Sequence, residues 1–361
     1  MKQIVLLVSF ILIVHVAACQ KQCDGLEVRV KGDVAFSLEY YLDEEYNFLE
    51  SRKINYTKNR RISTIDSKIY YKHPEDIEYM QLPDSLVSDD DGVWEHIKHI
   101  KLNFRYEYGS NGKLHQISEF YGTALLEQIG YDYPEEGVIH QTFHKLSTDN
   151  KTYARFSLDA DCKPVQYKTL DKDGNVLYEQ PDDLFTHRAI EKDGLGNEIH
   201  QHLMLNSQGQ EPRIQRRILT HHVLEGIPKT GSIEELANQL LTYLKANDYG
   251  SIKSKLLAHR FNYLEFFNHI GDGSEVYFET EKVEGIQQYQ IAQLKEQLLK
   301  SDAGFNWKKA SIKEIDKDLH DDDGLASAAC DIVLTDGQRD IDLSYLTMAK
   351  FTDGWRLFFV K

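Results

Sequence analysis

Leu102-Asn103-Phe104-Arg105-Tyr106-Glu107-Tyr108 runs into Gly109-Ser110-Asn111-Gly112-Lys113 and returns through Leu114 to Tyr121. Apolar residues at every second position place one side of an extended chain on a core and the other in water. Gly and Asn between the two runs supply the positive φ that a tight reversal needs. The stretch therefore reads as a β-hairpin. The same grammar recurs around it, with turn signals at Tyr133-Pro134-Glu135-Glu136-Gly137, Asp171-Lys172-Asp173-Gly174-Asn175, Asp193-Gly194-Leu195-Gly196-Asn197 and Asn206-Ser207-Gln208-Gly209-Gln210. Strands punctuated at this density predict an antiparallel meander over 99–224.

The segment 106–114 resembles a tyrosine–aspartate (RHS-type) repeat, in which an aromatic strand meets a glycine turn and an apolar return. The stretches 170–176 and 191–197 look like degenerate copies without the strand tyrosine. The resemblance implies a twisted β-sheet scaffold and no reaction. Upstream, Val28, Val30, Val34 and Phe36 alternate with polar neighbours, which suits a strand, while 38–70 has no clear period. Residues 73–93 carry two prolines and the run Asp89-Asp90-Asp91-Gly92, an irregular connection. Residues 19–98 are thus expected to form a tether and a mixed β region.

Downstream, Gly226-Ile227-Pro228-Lys229-Thr230-Gly231 lacks any period, and a linker is expected at 225–231. Ser232-Ile233-Glu234-Glu235 matches a helix capping box. Ile233, Leu236, Ala237, Leu240, Leu241 and Leu244 follow at helical spacing. A short helix near 249–257 and a third over 286–299 complete the helical part. Asp323-Gly324, Asp336-Gly337 and Asp353-Gly354 then separate four alternating runs, near 308–319, 325–335, 339–351 and 354–360. Helices followed by a meander that ends in Asp-Gly-Trp-Arg-Leu resemble the cone-shaped superfamily of ketosteroid isomerase and SnoaL-type cyclases. That resemblance covers 232–361. The expected fold class is α+β and multidomain: an antiparallel hairpin meander, then a helix-then-sheet, cone-like domain.

The N-terminus, Met1-Lys2 and an apolar run from Ile4 to Val14, reads as a secretory signal over 1–18, short of the roughly 20 residues a spanning helix needs. Val16-Ala17-Ala18-Cys19 resembles the lipobox of bacterial, Bacteroidetes-like lipoproteins, which implies acyl chains on Cys19. Gln20 in place of aspartate implies, by the same resemblance, the outer membrane. A bacterial cell-envelope protein, lipid-anchored through Cys19, is the expected location. Of the remaining cysteines, Cys23 and Cys162 could form one bond, and Cys330 reads as a small core residue.

The chain has 361 residues, with 58 acidic against 42 basic ones and a formal charge of −16. That balance excludes a nucleic-acid partner on electrostatic grounds. The membrane, reached through the anchor, and a protein, glycan or small-molecule ligand are the partners left. No G-x-S-x-G, phosphate-binding loop, H-E-x-x-H or dinucleotide fingerprint occurs, so no catalytic residue and no cofactor is assigned. Two alternatives to a binding or scaffolding role have named residues. An enzyme acting on a small molecule or glycan would use the C-terminal cone, with Tyr345, Trp355 and Phe359 as pocket candidates. A metal site would use His187, His200 and His202, which share a face if residue 187 lies opposite residue 202. Asp171-Lys172-Asp173-Gly174-Asn175 reads as a hairpin turn, not a calcium loop.

Overall fold

The computed structural model describes residues 30–70, 99–158, 164–180, 185–205, 213–224, 230–270, 280–301, 304–322 and 325–360. Two compact units result, Met1–Glu225 and Gly226–Lys361. The chain is broadly α+β and mostly β.

The first unit is one sheet of thirteen strands: β1 Val34–Leu42, β2 Phe48–Tyr56, β3 Ile62–Tyr70, β4 His99–Tyr108, β5 Leu114–Tyr121, β6 Ala124–Glu135, β7 Val138–Lys145, β8 Asn150–Leu158, β9 Pro164–Leu170, β10 Val176–Gln180, β11 Phe185–Lys192, β12 Glu198–Leu205 and β13 Arg213–Leu224. Each of β1 to β9 pairs with its successor, β11 pairs with β12 and β12 with β13, and β13 pairs with β1, all antiparallel. Residues 34–70, expected within a separate tether region, are therefore three strands of the same sheet, and β3 pairs directly with β4. Within β1 the period is lost after Phe36 because that half of the strand is buried on both faces: Glu39, Tyr40, Tyr41 and Leu42 are all under 9% exposed.

The two edge strands are consecutive in the chain. Gln180 and Phe185 are five residue steps apart, about 18 Å of extended backbone at most. A flat thirteen-stranded sheet would hold its edges about 58 Å apart. The sheet must therefore roll up. Followed through the strand pairings, the end of β10 and the start of β11 are offset by about 15 residues along the strands, a stagger near the strand number, as a barrel with tilted strands requires. β10 and β11 run in the same direction, and so short a link cannot return along a strand. They follow one another, β10 held by β9 and β11 by β12.

The faces of this barrel separate cleanly from β2 to β8. Ile54, Ile65 and Phe104 oppose one another across β2–β4; Ile117, Ile129 and Phe143 do so across β5–β7, and Ile139 opposes Phe156. All are buried in one cluster, the interior. The outward row reads Thr64, Arg105, Ser118, Gln128, His144 and Lys151.

Three hairpin turns share one construction. Asp43, Asp171 and Asp193 each accept, on one carboxylate oxygen, the amides two and four residues on, at 2.8–2.9 Å. The fourth residue onward is asparagine each time, and its amide donates to the other oxygen. The residue before it has positive φ: Tyr46 66°, Gly174 84° and Gly196 81°.

In the second unit, Ser232 caps α1 (Ile233–Lys245), accepting from the Glu235 amide at 3.1 Å. The six residues at helical spacing are its buried ones. A turn, α2 (Tyr249–Ser251), runs on into a π-helical turn at Ile252–Leu256; α3 (Arg260–Ile270) and α4 (Thr280–Ser301) follow. The sheet is β14 Ser311–Asp322, β15 Leu325–Thr335, β16 Asp340–Phe351 and β17 Gly354–Val360, in sequence order. Gly354 has φ 112°, and a Cβ there would stand 2.7 Å from the Thr230 amide nitrogen. That contact lets Trp355 donate to the Thr230 carbonyl and fixes where the chain enters this unit.

Candidate functional site

The interior of the barrel is not wholly apolar. Glu39, Arg52 and Ser67 oppose one another across β1–β3 on the same face as Ile54. Arg52 forks onto Glu50 at 2.6 and 2.9 Å and donates to the Tyr41 hydroxyl at 3.2 Å. Tyr41 donates to Glu39 at 2.9 Å, and Ser67 to Glu50 at 2.6 Å. All five side chains are buried. Burial alone would lower Arg52; the Glu50 carboxylate outweighs it and holds the guanidinium above its ordinary value. Burial likewise pushes the Tyr41 and Tyr106 phenols up. Arg216 is lowered by burial, which the Glu50 carboxylate offsets only in part. The arrangement offers recognition by charge and hydrogen bonding.

Further along the same face, Glu119 stands directly opposite Glu127, and Glu127 opposite Lys145. Burial and the neighbouring Glu127 push Glu119 up to about 7. In the second unit Asp353 is shared by His259 at 3.1 Å, Arg356 at 2.7 Å and the Asn262 amide at 2.9 Å. Burial would raise its pKa, but His259 and Arg356 hold it well below the carboxylate range. This cluster ties the start of α3 to the β16–β17 turn.

The residues singled out from sequence fare differently. Cys19, Cys23 and Cys162 lie outside the described residues, and Cys330 is a buried free thiol. The histidine trio is not assembled. His187 opposes Leu203, while His202 opposes Arg188, so His187 is on the other face from His202. His200 and His202 do sit together, rings 4.9 Å apart, and Arg217 donates to His202 at 3.2 Å. Among the described residues no group of three His, Cys, Asp or Glu side chains is placed to hold a metal.

Tyr345 is not a pocket residue. Its backbone is left-handed (φ 61°), its amide donates to the Asp331 side chain at 2.7 Å, and its ring is 67% exposed. The pairing of β15 with β16 slips there, so Leu346 and Met348 face the core where alternation from Leu343 would place Tyr345 and Thr347. Trp355 is a core residue, packed with Leu343, Leu357 and the leucines of α1. The Phe359 side chain lies outside the described residues.

Sequence reasoning missed the interior cluster, since Glu50-x-Arg52 is an unremarkable pair of charges until its strand has neighbours on both sides. Fold and site together define a two-unit α+β protein whose larger part is a rolled antiparallel sheet with a charged interior cluster. No family model matches the chain, and no curated protein matches it. Among solved structures, a porin-like protein from Bacteroides uniformis is similar to it at 8% identity, over 54% of this chain and all of that one, with a TM-score of 0.27. No helix among the described residues is long and apolar enough to cross a membrane, which says nothing of strands.

Proposed function

We propose that this protein is a lipid-anchored cell-envelope protein with a binding or scaffolding role, held at the outer membrane by Cys19, whose barrel stands in water and does not span the bilayer. The observation that carries the reading is the outward row, in which Arg105 and Lys151 are exposed and Thr64, Gln128 and His144 are partly so. A spanning barrel turns an apolar band about 25 Å tall toward lipid, and a charge at the midplane costs about 2–4 kcal/mol. A body of this kind needs another means of staying at the membrane, and the Val16-Ala17-Ala18-Cys19 sequence supplies one. The repeated Asp-x-x-x-Asn turn supports reading the meander as RHS-like, and the order of helices and strands supports reading 232–361 as SnoaL-like. The filling of the second unit by Trp355 and Leu343 favours binding over an enzyme in the cone. Cys19→Ala is expected to release the protein from the membrane fraction and to abolish labelling by radioactive palmitate. Continued anchoring of that variant refutes the reading.

A further inference from the structure

One arc of the barrel rim at which β1 begins, from the β11–β12 turn to the β4–β5 turn, gathers cations on a protein that is acidic as a whole. The lead-in arrives there through Lys31, whose amide donates to the Asn197 side chain at 2.7 Å and whose carbonyl accepts from it at 3.0 Å, tying it to the β11–β12 turn. Asp33 is ion-paired with Arg60 of the β2–β3 turn at 2.8 Å. That turn also carries Lys58 and Arg61. The Arg61 guanidinium lies against Gly112 and 5.3 Å from the centre of the Tyr108 ring, which brings the β4–β5 turn alongside. Lys113 of that turn reaches over the Tyr133 ring at 4.7 Å. Five cations thus gather at one end, with Lys31, Lys58 and Arg60 exposed. The acids within this arc are Asp33, already paired, Asp193, closed onto its own turn, Glu107, and Glu198, paired with Lys192; past Lys113 the β6–β7 hairpin carries Asp132, Glu136 and Glu135, the last paired with Arg155. At the other rim the β1–β2 turn carries Asp43, Glu44 and Glu45.

We infer that the rim bearing Lys31, Lys58, Arg60, Arg61 and Lys113 is the face this molecule lays against the phosphates of an anionic lipid leaflet. The charge matches the partner. The chain also reaches the barrel at this rim: Cys19 is twelve residue steps before Lys31, about 40 Å of extended chain at most, so an acylated Cys19 keeps this end within reach of headgroups. A cation near an anionic surface is worth about 1 kcal/mol, and its effect fades within a Debye length. The choice of a lipid partner rests on the anchoring proposed above.

The test uses residues 19–361 with Cys19→Ser, so that no acyl chain contributes. Vesicles of phosphatidylcholine, with and without phosphatidylglycerol, are the probes, and co-sedimentation is the readout. The protein is expected to bind only the vesicles that contain phosphatidylglycerol, and less in high salt. Lys58→Ala with Lys113→Ala should weaken that binding about 30-fold, the effect of two cations at about 1 kcal/mol each. Glu44→Gln with Glu45→Gln, at the opposite rim, should not weaken it, and all variants should melt like the parent. Equal binding to neutral vesicles, no binding to either, or no effect of the lysine pair overturns the inference. Palmitate labelling of the native chain reports on the anchor separately. An unlabelled Cys19 beside a rim that binds would sink the anchor and leave the rim standing.

Discussion

Arg52 and Glu50 stand two residues apart on β2 and point the same way, into a space that excludes water. A buried ion pair of this kind contributes little net stability, but breaking it leaves one charge stranded, at a cost of about 3–5 kcal/mol. Arg52→Met should therefore lower the unfolding free energy measured in urea by that amount, and adding Glu50→Gln should recover much of it. A single variant as stable as the parent would mean that Glu50 finds another cation. Tyr345 teaches the reverse lesson. From sequence it continues an inward alternation; one residue with positive φ turns it out and re-sets every position after it. Tyr46 hides in the same way, because the Asp43 turn has tyrosine where its two relatives have glycine, and only the flanking Asp and Asn betray it.

At the scale of the element, β5 and β6 hold two carboxylates face to face. The folded pKa of Glu119 (about 7) lies above its ordinary 4.5, so between those values the folded chain keeps a proton that the unfolded chain has released. Stability from this group is present at low pH and is lost as pH rises from about 4.5 to about 7. Asp353 acts with the opposite sign, since its stabilisation disappears only in strong acid. The parent should lose urea resistance between pH 5 and pH 8 relative to Glu119→Gln; parallel curves would contradict the placement of Glu119. How legible an element was in the sequence followed its environment. α1 and the strands after it have one wet face, and their period is clean. β1 is buried on both sides from Glu39 to Leu42 and shows none there. α3 was missed because its apolar residues, Phe261, Tyr263, Leu264, Phe266 and Phe267, crowd too much of its circumference to trace a single stripe.

At the scale of the molecule, the two units have separate cores. Leu240→Ala, in α1, removes a wholly buried side chain and should cost about 2–5 kcal/mol in the second unit alone. Calorimetry should show two transitions, of which this variant moves one; a joint shift of both would mean that the units melt together. The meander was legible, and its closure was not, because a pairing between β1 and β13 spans most of the unit and leaves no local trace. That pairing also sets a timetable. The first strand made is the neighbour of the last, so its edge has no partner until residue 224 has been delivered. Ten strands accumulate with raw edges at both ends, each able to pair with another chain. If the chain is exported as proposed above, the hazardous interval lasts as long as translocation itself. On that proposal the cell would have to shelter β1 through it, or move the chain fast enough that the ring shuts before a neighbour finds the gap.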